Sequence, residues 1–150
     1  MKNLSVPSAL APIATPLPIN VQLTKAACDY FNNGLYLEAI TKAQECIDQF
    51  KDQALREQQA FTACGTPTPL VGIVNDEEMK AEIVVRGVLN DVATCYLIIG
   101  QAMEKLNLIS EAKEVYQHVL TTFLGARVLG QEGYIWSPAR AASDRLKALQ

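Results

Sequence analysis

The chain has 150 residues, 49% of them hydrophobic, and a formal net charge of −3; one domain of this size buries a core without metal or disulfide staples. The acidic balance lacks the clustered Lys and Arg excess that grips phosphate backbones, which argues against a nucleic-acid partner. Cys28, Cys46, Cys64 and Cys95 are widely spaced in apolar surroundings, without the close Cys/His pairings of a zinc site, so neither a metal nor another cofactor is expected.

Residues 1–19 read as a Pro-rich tail, with Pro7, Pro12, Pro16 and Pro18 favouring an extended path. Its apolar runs are too short for a signal peptide core or a membrane span. Residues 20–150 read as a single helical domain. From Asn20 to Asn33, Val21, Leu23, Ala26, Ala27, Tyr30 and Phe31 recur at helical spacing, and Asn32-Asn33-Gly34 supplies a stop. After Gly34 the pattern resumes at Leu37, Ile40, Ala43, Ile47, Phe50, Ala54 and Phe61 and meets no Gly or Pro before Gly65. That predicts a helix of ~40 Å. Gly65, Pro67, Pro69 and Gly72 then turn the chain.

Asn75 and Glu78 have capping-box spacing and predict a third helix, whose face of Met79, Ile83, Val88, Val92, Tyr96, Ile99, Met103 and Leu106 runs about thirty residues. Asn107 to Ser110 is short enough to link it, antiparallel, to a fourth helix carrying Ala112, Val115, Tyr116, Val119, Leu120 and Phe123. Gly125, Gly130 and Gly133 mark a loop. Ser137-Pro138 starts a last helix, with Ala141, Leu146 and Leu149 facing inward and Arg140, Asp144, Arg145 and Lys147 mostly outward.

Two stretches repeat at matching offsets. Leu23, Ala26, Ala27 and Tyr30 precede Ala39 and Ala43; Tyr96, Ile99, Gly100 and Met103 precede Ala112 and Tyr116, and both turns end in Glu-Ala. This pattern resembles the tetratricopeptide repeat, in residues 20–53 and 93–126, with the last helix as a cap. The resemblance implies an all-α fold of antiparallel hairpins in a right-handed solenoid. Small residues at Ala27, Ala39, Gly100 and Ala112 would let paired helices approach. The anchors Ala39 and Ala112 lie 73 residues apart, more than two periods of ~34, so the central helices are expected to lengthen into a protruding arm tipped by residues 65–75.

The family's geometry implies a concave groove that binds a partner peptide or helix, lined by Thr24, Lys25, Cys28, Phe31 and Asn32 and by Leu97, Gln101, Glu104 and Lys105. On the alternative reading, Phe31 and Leu97 pack under the last helix and the polar residues are only solvated. At the positions where relatives clamp a C-terminal carboxylate, this chain has Thr24, Cys28, Leu97 and Gln101, a departure from that chemistry. Arg127, Tyr134 and Trp136 form a second candidate surface, although the stronger reading is that Ile135 and Trp136 anchor the loop so that the last helix docks. Leu70, Val71, Ile73 and Val74 at the arm tip suggest contact with a partner, with the N-terminal tail or with a second copy, the last giving a homodimer through the extended helices. The lone His118 has no nucleophile nearby in sequence, and no phosphate-cradling loop appears, so a protein-binding adaptor or scaffold is expected rather than an enzyme. A chaperone for a secreted or assembled partner and a self-assembling structural protein share the same pattern. Reduced cysteines fit the cytoplasm; a chain trimmed of a natural leader would fit an exported or periplasmic protein equally.

Overall fold

In the computed structural model, the residues described are 16–63, 72–73, 77, 80, 87–130 and 134–150. Among them five helices dominate: α1 (Ile19–Asn32), α2 (Tyr36–Ala63), α3 (Gly87–Lys105), α4 (Ile109–Thr122) and α5 (Pro138–Ala148). Successive helices pack as neighbours, and α3 also touches α1 and α5. The all-helical expectation therefore holds. Ser137 caps α5 as predicted, its Oγ accepting from the backbone N–H of Arg140 at 3.1 Å.

The two hairpin turns are built alike. Gly34 and Asn107 both take positive φ, 77° and 64°. Gly34 N donates to Phe31 O and Leu35 N to Tyr30 O; Asn107 N donates to Glu104 O and Leu108 N to Met103 O. This is the Schellman arrangement, in which a left-handed residue lets the chain reverse while satisfying the last helical carbonyls. Leu35 and Leu108, which follow the reversals, are exposed to almost the same degree, 44% and 42%. Ala27, Ala39, Gly100 and Ala112 are all buried, so the small-residue contacts read from the repeated offsets are present.

Gly100 shows why. A Cβ added there would lie 2.5 Å from Tyr116 Cε1 and 2.9 Å from Cδ1. The ring has nowhere to go, because the Tyr116 hydroxyl donates to Glu104 Oε2. Aromatic mass at Tyr116 on α4 thus fills the space vacated by the missing side chain on α3.

Two expectations need correction. The third helix presents more than one face: Leu89, Val92, Ala93, Cys95, Leu97, Ile98, Ile99 and Ala102 are all buried, because α1, α2, α4 and α5 surround it. Its described part runs Gly87–Lys105, and the N–H of Leu89 near its start is donated to Glu57 Oε1 on α2, at 3.0 Å. The proposed Asn75–Glu78 capping box lies outside the described residues. Nor does the described part of the expected arm protrude. The end of α2 is packed, with Gln58 Oε1 accepting from Gly125 N at 2.8 Å and Phe61 lying against Gly125. Part of the expected tip, Gly72–Ile73, is a strand.

That strand, β1 (Gly72–Ile73), pairs antiparallel with β3 (Tyr134–Trp136), which also pairs with β2 (Val128–Leu129), giving the order β1-β3-β2. Strands of two or three residues are too short to carry an alternating pattern, so sequence reads them as loop. Their effect is to tie the α2–α3 connection to the segment that leads into α5.

Gly100→Ala tests the close approach. Alanine is better than glycine in a helix by about 1 kcal/mol, but overpacking costs about 1–3 kcal/mol. Since the opposing ring is pinned, overpacking of about 2–3 kcal/mol is expected, a net loss of roughly 1–2 kcal/mol in urea denaturation; unchanged or higher stability would show that the ring moves aside. Glu57→Ala removes a cap supplied from 32 residues away in sequence, and is expected to cost about 1 kcal/mol, with faster amide exchange at Leu89.

Candidate functional site

The first helices of both hairpins end beside the last turns of α5, and a cleft of about 410 Å³ opens there. Phe31 of α1, Gln101, Glu104 and Lys105 of α3, and Arg145 of α5 line it. The spacing of 101, 104 and 105 puts those three side chains on one helical face. Phe31 is half-buried, its ring edge-on to Tyr36 with centroids 5.4 Å apart, and forms the apolar wall.

Glu104 anchors the polar side. Arg145 grips it with two bonds, Nη2 to Oε1 at 2.5 Å and Nε to Oε2 at 2.9 Å, a bidentate geometry stronger than a single ammonium contact. The Glu104 side chain is only 13% exposed. The Arg145 hydrogen bonds hold its carboxyl below the usual carboxylate range, with Tyr116 adding to them and burial opposing. Burial, then the bond to Glu104, pushes the Tyr116 hydroxyl up, so it stays a donor. Lys105, by contrast, is exposed and has no ion-pair partner among the described residues. The cleft thus combines an immobilised carboxylate, a free ammonium, a free amide and an aromatic wall.

Of the residues read as groove-lining, four meet here: Phe31, Gln101, Glu104 and Lys105. Thr24 and Leu97 do not. Thr24 is 9% exposed and donates to Asn20 O; Leu97 is 4% exposed and packs with Ala139 and Ala142 of α5. Both occupy the inner side of their helices and belong to the core, not to the cleft lining. Lys25 is exposed and paired with Asp29, and Asn32 is exposed at the end of α1. Helical spacing places Arg145 mostly outward; its bonds to Glu104, 41 residues away, turn it into the cleft. No local pattern carries such a long-range partner.

The second candidate surface divides. Tyr134 is 46% exposed and, with Trp136, Gly72, Arg140 and Asp144, borders another cleft. Arg127 is withdrawn: it is buried, its backbone N–H donates to Asn90 Oδ1 at 2.8 Å, and its guanidinium caps the carbonyls of Leu124 and Ala126. His118 lies edge-on to Tyr96, with centroids 4.8 Å apart. Partial burial, with Lys51 adding to it, pushes its pKa down and favours the neutral ring.

Among the described residues no group of three or more His, Cys, Asp or Glu side chains is placed to hold a metal ion. None of the described helices is long and apolar enough to cross a membrane. What the residues define is a predominantly helical chain of two like hairpins and a terminal helix around an open, mixed-polarity cleft. The chain matches no protein-family model, no curated protein and no solved structure.

The Glu104 cluster makes a pH-dependent prediction. A carboxyl held below its unfolded pKa contributes stability that is present above the unfolded value and lost as pH falls through the folded one. Glu104→Gln is therefore expected to be less stable than wild type by about 1–2 kcal/mol at pH 7, and the gap should close as pH falls through and below the ordinary carboxylate range. A gap independent of pH would mean that Glu104 contributes through packing alone.

Proposed function

We propose that this chain is a non-enzymatic protein-interaction module, its two hairpins arranged in the manner of tetratricopeptide repeats, and that it holds a peptide or helix of a partner in the cleft beside Phe31. The observation carrying this reading is the convergence of Phe31, Gln101, Glu104 and Lys105, from two helices at equivalent places in two like hairpins, on one solvent-open cavity. The contacts of α3 with both α1 and α2 support stacked hairpins.

The physical character of the cleft fits recognition. A rigid aromatic wall supplies apolar area at low entropic cost, and groups left free, the Gln101 amide and the Lys105 ammonium, supply direction. Glu104 and Arg145 neutralise each other and act as a fixed floor. Binding there requires little ordering of the receptor, which lowers the cost of association.

The test is affinity capture from lysate of the source cell with wild type and with Phe31→Ala/Gln101→Ala, both checked for unchanged helicity. A partner identified by mass spectrometry should bind the double variant at least about tenfold more weakly, the loss of one good anchor. Equal retention by both proteins removes the cleft as the working surface. Substrate turnover that His118→Ala abolishes would overturn the non-enzymatic reading itself.

A further inference from the structure

The joint between the two hairpins contains a pair of thiols that the binding cleft does not use. Cys46 of α2 and Cys95 of α3 are both fully buried and both free. A single hydroxyl stands against both: Thr24 Oγ1 of α1 lies 3.7 Å from Cys46 Sγ and 3.4 Å from Cys95 Sγ. Its proton is already committed, donated to Asn20 O at 2.8 Å. The oxygen is therefore left to accept, and the Cys46 thiol also reaches that Asn20 carbonyl at 3.9 Å, so both sulfurs gather around one small polar point. Ala39, Ala43 and Ala54 on the buried face of α2 and Ala93 on α3 keep the backbones close at this joint. Consistent with that proximity, Cys46 and then burial push the ionisation of Cys95 far up.

We propose that Cys46 and Cys95 are a modification site: in contact with a small-molecule disulfide such as oxidised glutathione, they form a disulfide that locks the first hairpin to the second. The exchange balances in two displacements. One protein thiol, as its thiolate, attacks the disulfide and forms a mixed disulfide, releasing one glutathione thiolate. The second protein thiolate then attacks the protein sulfur of that mixed disulfide and releases the other. The two protons lost by Cys46 and Cys95 end on the two glutathione thiols; the protein pair is oxidised by two electrons and the reagent reduced by two.

Both sulfurs lie beneath α1, so reaction requires that helix to lift. Its near end is held by Asn20, whose Nδ2 donates to Asp91 Oδ2 of α3 at 2.7 Å. Asp91 is itself held above the usual carboxylate range by burial, with Asn20 opposing. Local opening of a single helix is the low-energy route to such a buried pair. Once formed, the bridge would fix how hairpin one sits on hairpin two. The cleft takes Phe31 from the first hairpin and Gln101, Glu104 and Lys105 from the second, so its width would be fixed with it.

The experiment uses the wild-type chain, incubated with oxidised glutathione under native conditions, quenched by alkylation and digested without reduction. The expected result is a peptide containing Cys46 joined to one containing Cys95, together with a melting temperature raised by roughly 10 °C, the effect of closing a loop of about 50 residues, and reversed by dithiothreitol. Asn20→Ala should form the same link several-fold faster. Stable glutathione adducts on either cysteine, a link from either to Cys28 or Cys64, or a Cys46–Cys95 link that lowers the melting temperature would each overturn the proposal.

Discussion

A helix that is apolar on every side must be covered on every side, and α3 imposes that constraint on the rest of this protein. Its burial along almost the whole of Leu89 to Ala102 leaves no solvated face to carry polar residues. The remaining elements therefore surround it: α1 and α2 on one flank, α4 and α5 on the other. The polar groups along its first two turns are given partners within the protein. Leu89 N–H finds Glu57, Asn90 Oδ1 accepts from the backbone of Arg127, Thr94 Oγ1 donates to Asn90 O, and Asp91 meets Asn20. Unpaired, such groups would each cost a desolvation penalty in a dry interior.

The cleft follows from how α3 leaves that enclosure. Its last turn emerges between the ends of α1 and α5, so Gln101, Glu104 and Lys105 pass from core to surface within one turn and a half. Tyr116 and Arg145 meet at Glu104 and connect the packing of Gly100 to the cleft floor. A change in how α4 packs on α3 is thereby felt at the surface where a partner would sit. Rigidity at Glu104 and freedom at Lys105 are two consequences of one geometry: the carboxylate lies on the side of α3 facing α4 and α5, the ammonium on the side facing solvent.

Much of the helical framework was legible in sequence. The 3.6-residue spacing located the described helices, the Ser137-Pro138 start gave α5 its cap, and the matching offsets around Gly34 and Asn107 anticipated two like turns, which the structure builds with the same hydrogen bonds. Phe31, Gln101, Glu104 and Lys105 were found because the repeated pattern ranks positions on a helix by face. The same ranking misplaced Thr24 and Leu97, since face assignment within one helix does not separate groove from core where other helices cover the face: α2 and α3 over Thr24, α5 over Leu97.

What the sequence by itself determined is therefore everything set by near neighbours along the chain: helical periodicity, capping, reversal at a left-handed residue, and the demand for small side chains at the paired positions. Only the tertiary structure decided the contacts whose partners are remote. It brought Arg145 to Glu104, Glu57 to the start of α3, Gly72–Ile73 to the strand at Tyr134, and Cys46 to Cys95 across Thr24. The physical reason is range. A hydrogen bond or a van der Waals contact acts over a few ångströms of space, and only folding converts tens of residues of chain into that distance.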